Sequence, residues 1–479
     1  MKDRYIDLID QSFYFPQEGF AIEDENLVFN GVPLKYLIDK YGAPLKLTYL
    51  PKIGSQIERA RNYFSRAFSD LNYDGNHRYC YVTKSCHFHF VLNEVLKYGV
   101  DLETSSEYDL DLVEALYREK KLDKSITIIN NGFKTDSYTQ RISKLINKGF
   151  ENVIPVLDNI EEIEKYEKYV TADSCKIGIR VATEEEPNFS FYTSRLGIRN
   201  SKVLHFYENR LAKSKKFKLE MLHFFVDTGI KDSMYYWGEL KKGVKLYCSL
   251  RKLCPTLNAI NIGGGLPIRN SLSFEFDYEY MIREIVDLIQ RECEQESVPV
   301  PDIYTEFGKY TVGEAGAMIY SVLAKKQQND AELWYMIDNS IMNSLPDTWG
   351  INEKFILLPV NKWKNRYTRV NLGGLTCDNS DYYNSEDHQA QVYLPLIENA
   401  DKDPLYVGFF HTGAYQDALS GYGGIKHCLI PSPKHVLVYR NSEGELVDTI
   451  YKDLQESKDM LRILGYNVDG ESDLDLMED

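Results

Sequence analysis

The sequence predicts an α/β protein, a TIM-like (β/α)8 barrel joined to a mainly antiparallel β-domain. Three observations predict it. Between about residues 78 and 307, short β-rich runs alternate with amphipathic stretches and do so eight times, which is the pattern of a closed parallel barrel. After about Tyr310 the runs shorten and are separated by turn residues, the texture of antiparallel sheet. The 479 residues exceed the roughly 250 that such a barrel uses, which leaves room for a second domain.

The eight barrel runs are Arg78–Lys84, Val100–Thr104, Ser125–Asn130, Asn152–Leu157, Lys176–Thr183, Leu219–Thr228, Leu257–Gly263 and Asp302–Phe307. Between the second and third, Ser106 is placed to cap a helix in which Leu110, Val113 and Leu116 form a buried stripe. The barrel is expected over 44–310. The β-domain is expected from both chain ends, 1–43 with a hairpin around Leu27–Val32 and 311–479 with β runs at Leu333–Ile337, Arg369–Leu372, Leu405–Phe410 and His435–Tyr439. The acidic stretch Val468–Asp479 reads as a frayed tail.

A composition of 43% hydrophobic and 27% charged residues is that of a soluble globular protein. The net charge of −16 argues against nucleic acid, whose phosphates require clustered Lys and Arg, and it would help to attract a cationic substrate. No apolar run reaches membrane-spanning length, and the opening Met-Lys-Asp-Arg-Tyr-Ile-Asp lacks a signal-peptide core. A cytoplasmic protein, with no membrane or nucleic-acid partner, is the expectation. The eight cysteines form no C-x-x-C pair and read as reduced thiols, mostly buried.

Side chains that close barrel strands at their C-terminal ends share one rim, where the chemistry of such barrels sits. Lys84, Glu103, Asn130, Arg180, Thr228, Gly263-Gly264-Gly265 and Glu306 all fall at such ends. A lysine can form a Schiff base with an aldehyde cofactor, although most strand-end lysines are simply charged surface residues. Three glycines let backbone N–H groups approach a phosphate without Cβ interference, although a glycine triplet can equally be a plain turn. A carboxylate such as Glu306 can keep a pyridine nitrogen protonated, or can pair with a nearby lysine. Together, a lysine, a phosphate cradle and an acid on one rim are what a pyridoxal 5'-phosphate enzyme needs. No metal is expected: His87 and His89 would point to different faces of a helix starting near Cys86, and no second ligand cluster completes a site.

Taken in order, these segments resemble the fold-type III pyridoxal-phosphate decarboxylases, which act on ornithine, arginine, lysine and diaminopimelate. Tyr81-Val82-Thr83-Lys84 is similar to the family's Schiff-base strand, Gly263-Gly264-Gly265-Leu266-Pro267 to its phosphate loop, and Glu306-Phe307-Gly308-Lys309 to its Glu-x-Gly-Arg segment. Leu375-Thr376-Cys377-Asp378 and Gly413-Ala414-Tyr415 are similar to its two β-domain loops. Asn131-Gly132-Phe133-Lys134, the segment Leu345 to Ile351, and Gly413 to Leu419 resemble the biosynthetic arginine decarboxylases within that group. There are two departures: Phe225 stands where a ring-stacking histidine is usual, and Lys309 where arginine is usual.

The resemblance implies decarboxylation of a basic amino acid, arginine first, by a homodimer with shared active sites. It makes Lys84 the cofactor lysine and Glu306 the partner of the ring nitrogen. Cys377 becomes the proton donor from the neighbouring subunit, and Gly263, Gly264, Gly265, Thr228 and Tyr415 the phosphate site. Asp378, then Asp347, would meet the cationic end of the substrate. A fold-type III racemase and a catalytically silent decarboxylase-like regulator are the alternatives outside the decarboxylases.

Overall fold

The computed structural model describes residues 14–184, 193–330, 332–383, 392–398, 400 and 402–468. The first thirteen residues and the acidic tail after Val468 lie outside them. The chain divides into two compact units, one of residues 53–267 and 276–311 and the other of 1–52, 268–275 and 312–479.

The first unit is a closed barrel. Its strands are His77–Val82, Asp101–Thr104, Thr127–Asn130, Asn152–Leu157, Cys175–Ala182, Phe217–His223, Ala259–Asn261 and Asp302–Glu306. Each pairs in parallel with the next, and the last returns to the first through Ile303 against His77 and Glu306 against Cys80. The interior is packed with Cys80, Ile129, Ile154, Val156, Met221 and Ala259, so the barrel is a core rather than a pore. The predicted helix forms over Asp109–Arg118 with Leu110, Val113 and Leu116 buried. Ser106 Oγ accepts from the Asp109 N–H at 3.3 Å while the Asp109 carboxylate accepts from the Ser105 and Ser106 N–H groups, a reciprocal cap.

The sixth strand stops at His223, well short of the expected Thr228, because Phe224 to Ile230 peel away to meet the glycine triplet. There the Ile230 N–H donates to the Gly265 carbonyl at 3.0 Å. The first strand stops at Val82, which puts Lys84 in the 3-10 turn Thr83–Ser85 just beyond it. The helix expected near Cys86 begins at His89.

In the second unit the twelve-residue strand Gly316–Gln327 pairs antiparallel with Leu45–Tyr49, Leu333–Ile337 and Tyr406–Phe410. Lys434–Arg440 runs parallel to Leu45–Tyr49 and antiparallel to Leu446–Lys452. The predicted hairpin is present, with Phe29 paired to Val32 across Asn30-Gly31, both at positive φ. The expected run Arg369–Leu372 is instead the end of one short strand, Tyr367–Arg369, and the start of another, Asn371–Gly373. Leu45–Tyr49, placed by sequence at the head of the barrel, pairs within this second sheet. It is buried at every position, as a barrel strand would be, so only its hydrogen-bond partners distinguish the two assignments. Among the described residues, no helix is long and apolar enough to cross a membrane.

Candidate active site

At the C-terminal end of the barrel, five strand termini deliver a buried polar cluster. Glu306 ends the eighth strand, Asn261 the seventh and His223 the sixth. Glu103 lies near the end of the second strand, and Asn131 directly follows the third. Asn131 Nδ2 donates to Glu306 Oε1 at 2.8 Å and to Glu103 Oε1 at 3.0 Å, and Asn261 Nδ2 donates to Glu306 Oε1 at 2.7 Å. His223 Nε2 stands 3.5 Å from Glu306 Oε2, beyond hydrogen-bond length.

Burial alone would push the Glu306 carboxyl up, but His223, Asn131 and Asn261 hold it down to about 2. Burial also pushes the His223 imidazole down. Above the range where His223 gives up its proton, the two amide donors, which have no charge to lose, keep Glu306 ionised. Glu103 is the opposite case: burial, then the charge of Glu306, push its carboxyl up to about 8. The exposed Lys84 lies within electrostatic reach of both Glu103 and His223. Burial lowers the Arg180 guanidinium against the pull of Glu306, Asp158 and Glu103.

The glycine triplet folds against this cluster. Gly263 and Gly265 have φ of +70° and +94°, which favours glycine. A Cβ on Gly264 would lie 2.3 Å from the Glu306 carbonyl oxygen, and one on Gly265 2.6 Å from Gly229 Cα. The half-buried Phe225 abuts the triplet, its Cδ2 2.9 Å from where a Gly263 Cβ would be. Lys309 is half-buried in the turn after the eighth strand.

Several buried polar atoms here have no hydrogen-bond partner: Thr228 Oγ1, Glu103 Oε2, Asn131 Oδ1 and both His223 ring nitrogens. Buried polar atoms are rarely left so, and their gathering here leaves room for a polar ligand. Hydroxyl and glycine N–H groups suit a phosphate, the ionised Glu306 suits a pyridine nitrogen, and Lys84 supplies an amine. The residues therefore fit pyridoxal 5'-phosphate.

The second unit carries the other expected residues. Cys377 and Asp378 are exposed on the loop that follows Asn371–Gly373. Cys377 Sγ is 3.7 Å from Cys428 Sγ, and that neighbour pushes the Cys377 thiol up. Asp378 Oδ1 accepts from the Ser380 N–H, with His427 Nε2 at 3.8 Å from Oδ2. Asp347 is buried and accepts from Gln416 Nε2 at 2.7 Å. Tyr415 has φ of +67°, a strained conformation for an aromatic residue and one that gathers at functional sites.

Sequence reasoning named Asn130, which donates to Thr104 Oγ1, rather than Asn131 just after the third strand; as members of the rim cluster it missed His223 and Asn261, and it also missed Asp381. Buried Asp381 accepts from the Ile341, Met342 and Thr376 N–H groups and from Thr376 Oγ1, which builds the Cys377–Asp378 loop. His223 and Asn261 stood at strand ends and were legible by that rule, whereas Asp381 carried no signal. Of the two expected histidines, His87 meets Asp109 and His89 meets Glu119, and no group of metal ligands occurs among the described residues.

Residues 54–313, just over half of the chain, match the family described as pyridoxal-dependent decarboxylase, pyridoxal binding domain. Among similar curated proteins, the biosynthetic arginine decarboxylase of Phocaeicola vulgatus is 21% identical over 91% of this chain and 86% of its own length. That of Geobacter sp. (strain M21) is 25% identical over 88% and 84%. The crystal structure of the biosynthetic arginine decarboxylase from Campylobacter jejuni shares the fold with a TM-score of 0.78 at 20% identity, covering 96% of this chain and 90% of that one.

Proposed function

This chain belongs to the pyridoxal-dependent decarboxylase family, and from that premise we propose that it converts L-arginine to agmatine and carbon dioxide in the cytoplasm. The observation that carries the reading is a buried Glu306 that accepts from Asn131 and Asn261 among unpartnered polar atoms, beside a glycine cradle and on the same barrel rim as Lys84. Pyridoxal 5'-phosphate supplies the electron sink that accepts the pair left behind by the departing carboxylate.

The chain's own residues do the rest. Lys84 would hold the cofactor through its amine. Glu306, with its amide donors, would keep a proton on the ring nitrogen. Gly263, Gly264, Gly265, Thr228 and Tyr415 bind the phosphate, with Lys309 as a point charge in place of a guanidinium fork. Phe225 stacks without offering a proton. The α-carbon loses carbon dioxide and gains one proton, for which the thiol of Cys377 of the partner subunit is the donor in a homodimer. Asp378 is the first candidate to pair with the guanidinium, because a carboxylate accepts that fork bidentately. Asp347 is second, its carboxylate already engaged by Gln416.

Carbon-dioxide release measured against arginine, ornithine, lysine and diaminopimelate tests the substrate, with arginine expected to dominate. Chiral analysis of unreacted substrate separates a racemase. A silent regulator would show no visible cofactor band and no borohydride-trapped adduct on Lys84. Mixing Lys84→Ala with Cys377→Ala protein should restore about a quarter of the sites if they are shared across a dimer. No recovery despite demonstrated subunit exchange would place each site within one chain.

A further inference from the structure

The motif Asn131-Gly132-Phe133-Lys134 entered only as a family resemblance, and the mechanism above gives it no task. Its geometry points to one. Asn131 has a single amide nitrogen, and that nitrogen donates to both Glu103 and Glu306. The loop behind it is pinned by Lys134, which is fully buried and donates to the Gly132 carbonyl at 2.8 Å and the Val156 carbonyl at 2.5 Å, with Glu162 3.4 Å away. Gly132 takes φ of +80°, and the Asn131 N–H donates to the Thr104 carbonyl at 2.9 Å. A buried ammonium spent on two backbone carbonyls is an expensive way to shape a loop, and what that loop presents is the Asn131 amide.

We propose that Asn131 is a positioning residue, fixed by Lys134, that ties the two buried acids to one amide, so that the further donor Asn261 leaves the charge on Glu306 and the proton on Glu103. Glu306 has two further supports, Asn261 and His223, whereas Glu103 Oε2 has no hydrogen-bond partner. Two carboxylates held by one amide cannot both ionise cheaply in a buried site. The groups facing Glu103 are Glu306, Asp109, Lys84, Arg180, Tyr138 and Cys80. Of these, Lys84 and Arg180 favour its ionisation, while Glu306 and Asp109 oppose it. The inference rests on the cofactor reading above, because a charged Glu306 is useful only opposite a ring nitrogen.

Two measurements on the full-length protein test it. The first is the thermal midpoint against pH. Glu103 sits up to about 8 when folded, against an ordinary value of about 4.3 for glutamate. The folded chain thus keeps a proton that the unfolded chain releases between those values, and stability falls as pH rises through that window. Glu103→Gln cannot release that proton, so its midpoint should decline a few degrees less than wild type between pH 5 and pH 8. Parallel curves would overturn the assignment of the proton to Glu103.

The second is a double-mutant cycle on pyridoxal-phosphate affinity, read by visible absorbance. Asn131→Leu should weaken binding about tenfold or more, the loss of a hydrogen bond to a charged group. In a Glu103→Gln background, where no second acid can ionise, the same change should cost less than about threefold. Additive effects would overturn the proposal, and Asn131→Ala takes the place of Asn131→Leu if the latter does not fold. A wild-type protein that binds no pyridoxal phosphate defeats the functional reading instead, and the midpoint measurement still reports on the acid pair.

Discussion

Glu306 and Asp381 are both buried carboxylates that accept several hydrogen bonds, yet they do different work. Glu306 takes its donors from the side chains of Asn131 and Asn261, at the ends of neighbouring barrel strands. The barrel fixes those donors already, so the acid is held in place and its charge is free to act on a ligand. Asp381 takes its donors mostly from backbone, the N–H groups of Ile341, Met342 and Thr376. Its charge goes into shaping the loop between the paired short strands Asn371–Gly373 and Tyr382–Tyr383. The barrel unit therefore presents its polar cluster at strand ends, while in the second unit Cys377 and Asp378 stand on a loop shaped by Asp381. At the rim, positive φ falls on Gly229, Gly263 and Gly265, whereas the second unit takes it on glycines such as Gly421 and Gly423 and also on His411, Tyr415, Cys428 and Leu429, where side chains make it costly.

The sharpest way to break the comparison is at the rim. Lys84→Ala should abolish the visible cofactor band and lower turnover at least about a thousandfold, because the proposed cofactor amine is lost. The far-ultraviolet spectrum should be unchanged, since Lys84 is exposed and beyond its strand. Glu306→Gln should lower turnover by about thirty- to a thousandfold while cofactor affinity changes much less, since one charge-assisted interaction with the ring nitrogen is lost. Near-normal turnover would show that Glu306 does not face that nitrogen.

In the second unit the leading effect should be on structure. Asp381→Ala leaves the N–H groups of Ile341, Met342 and Thr376 without their acceptor, at a cost of about 2–4 kcal/mol in denaturant unfolding. A rim acid shows the reverse order, turnover before stability, so a Glu306→Gln protein as destabilised as Asp381→Ala would erase the distinction. The smallest effect belongs to Asp378→Asn, expected to raise the KM for arginine about tenfold, with cofactor affinity unchanged. An unchanged KM would move the search for the guanidinium partner to Asp347.

Much of this was legible in the order of residues. The period of strand and helix identified all eight barrel strands. The rule that strand ends form one rim put Glu306 at the end of its strand, as found, whereas Lys84 lies in the turn beyond its strand and Thr228 past the end of its own. That rule works because a parallel strand can reverse direction only through a following helix, so every C-terminal end must emerge on the same face. The hairpin at Asn30-Gly31 was equally legible, being a local event of two residues.

Tertiary structure alone decided three things. It assigned Leu45–Tyr49 to the second sheet, because a fully buried strand looks the same in either sheet until its backbone partners are chosen. It stopped the sixth strand at His223, because the approach of Gly265 to Gly229 draws the following loop off the strand. Above all, it set two chemically identical carboxyls apart, burial and a neighbouring charge pushing Glu103 up while amide donors hold Glu306 down. Nothing in the residues themselves distinguishes Glu103 from Glu306. The difference lies in Asn261 and His223, brought from strands more than a hundred residues away from Glu103, and a pKa records that assembled field and not the residue type.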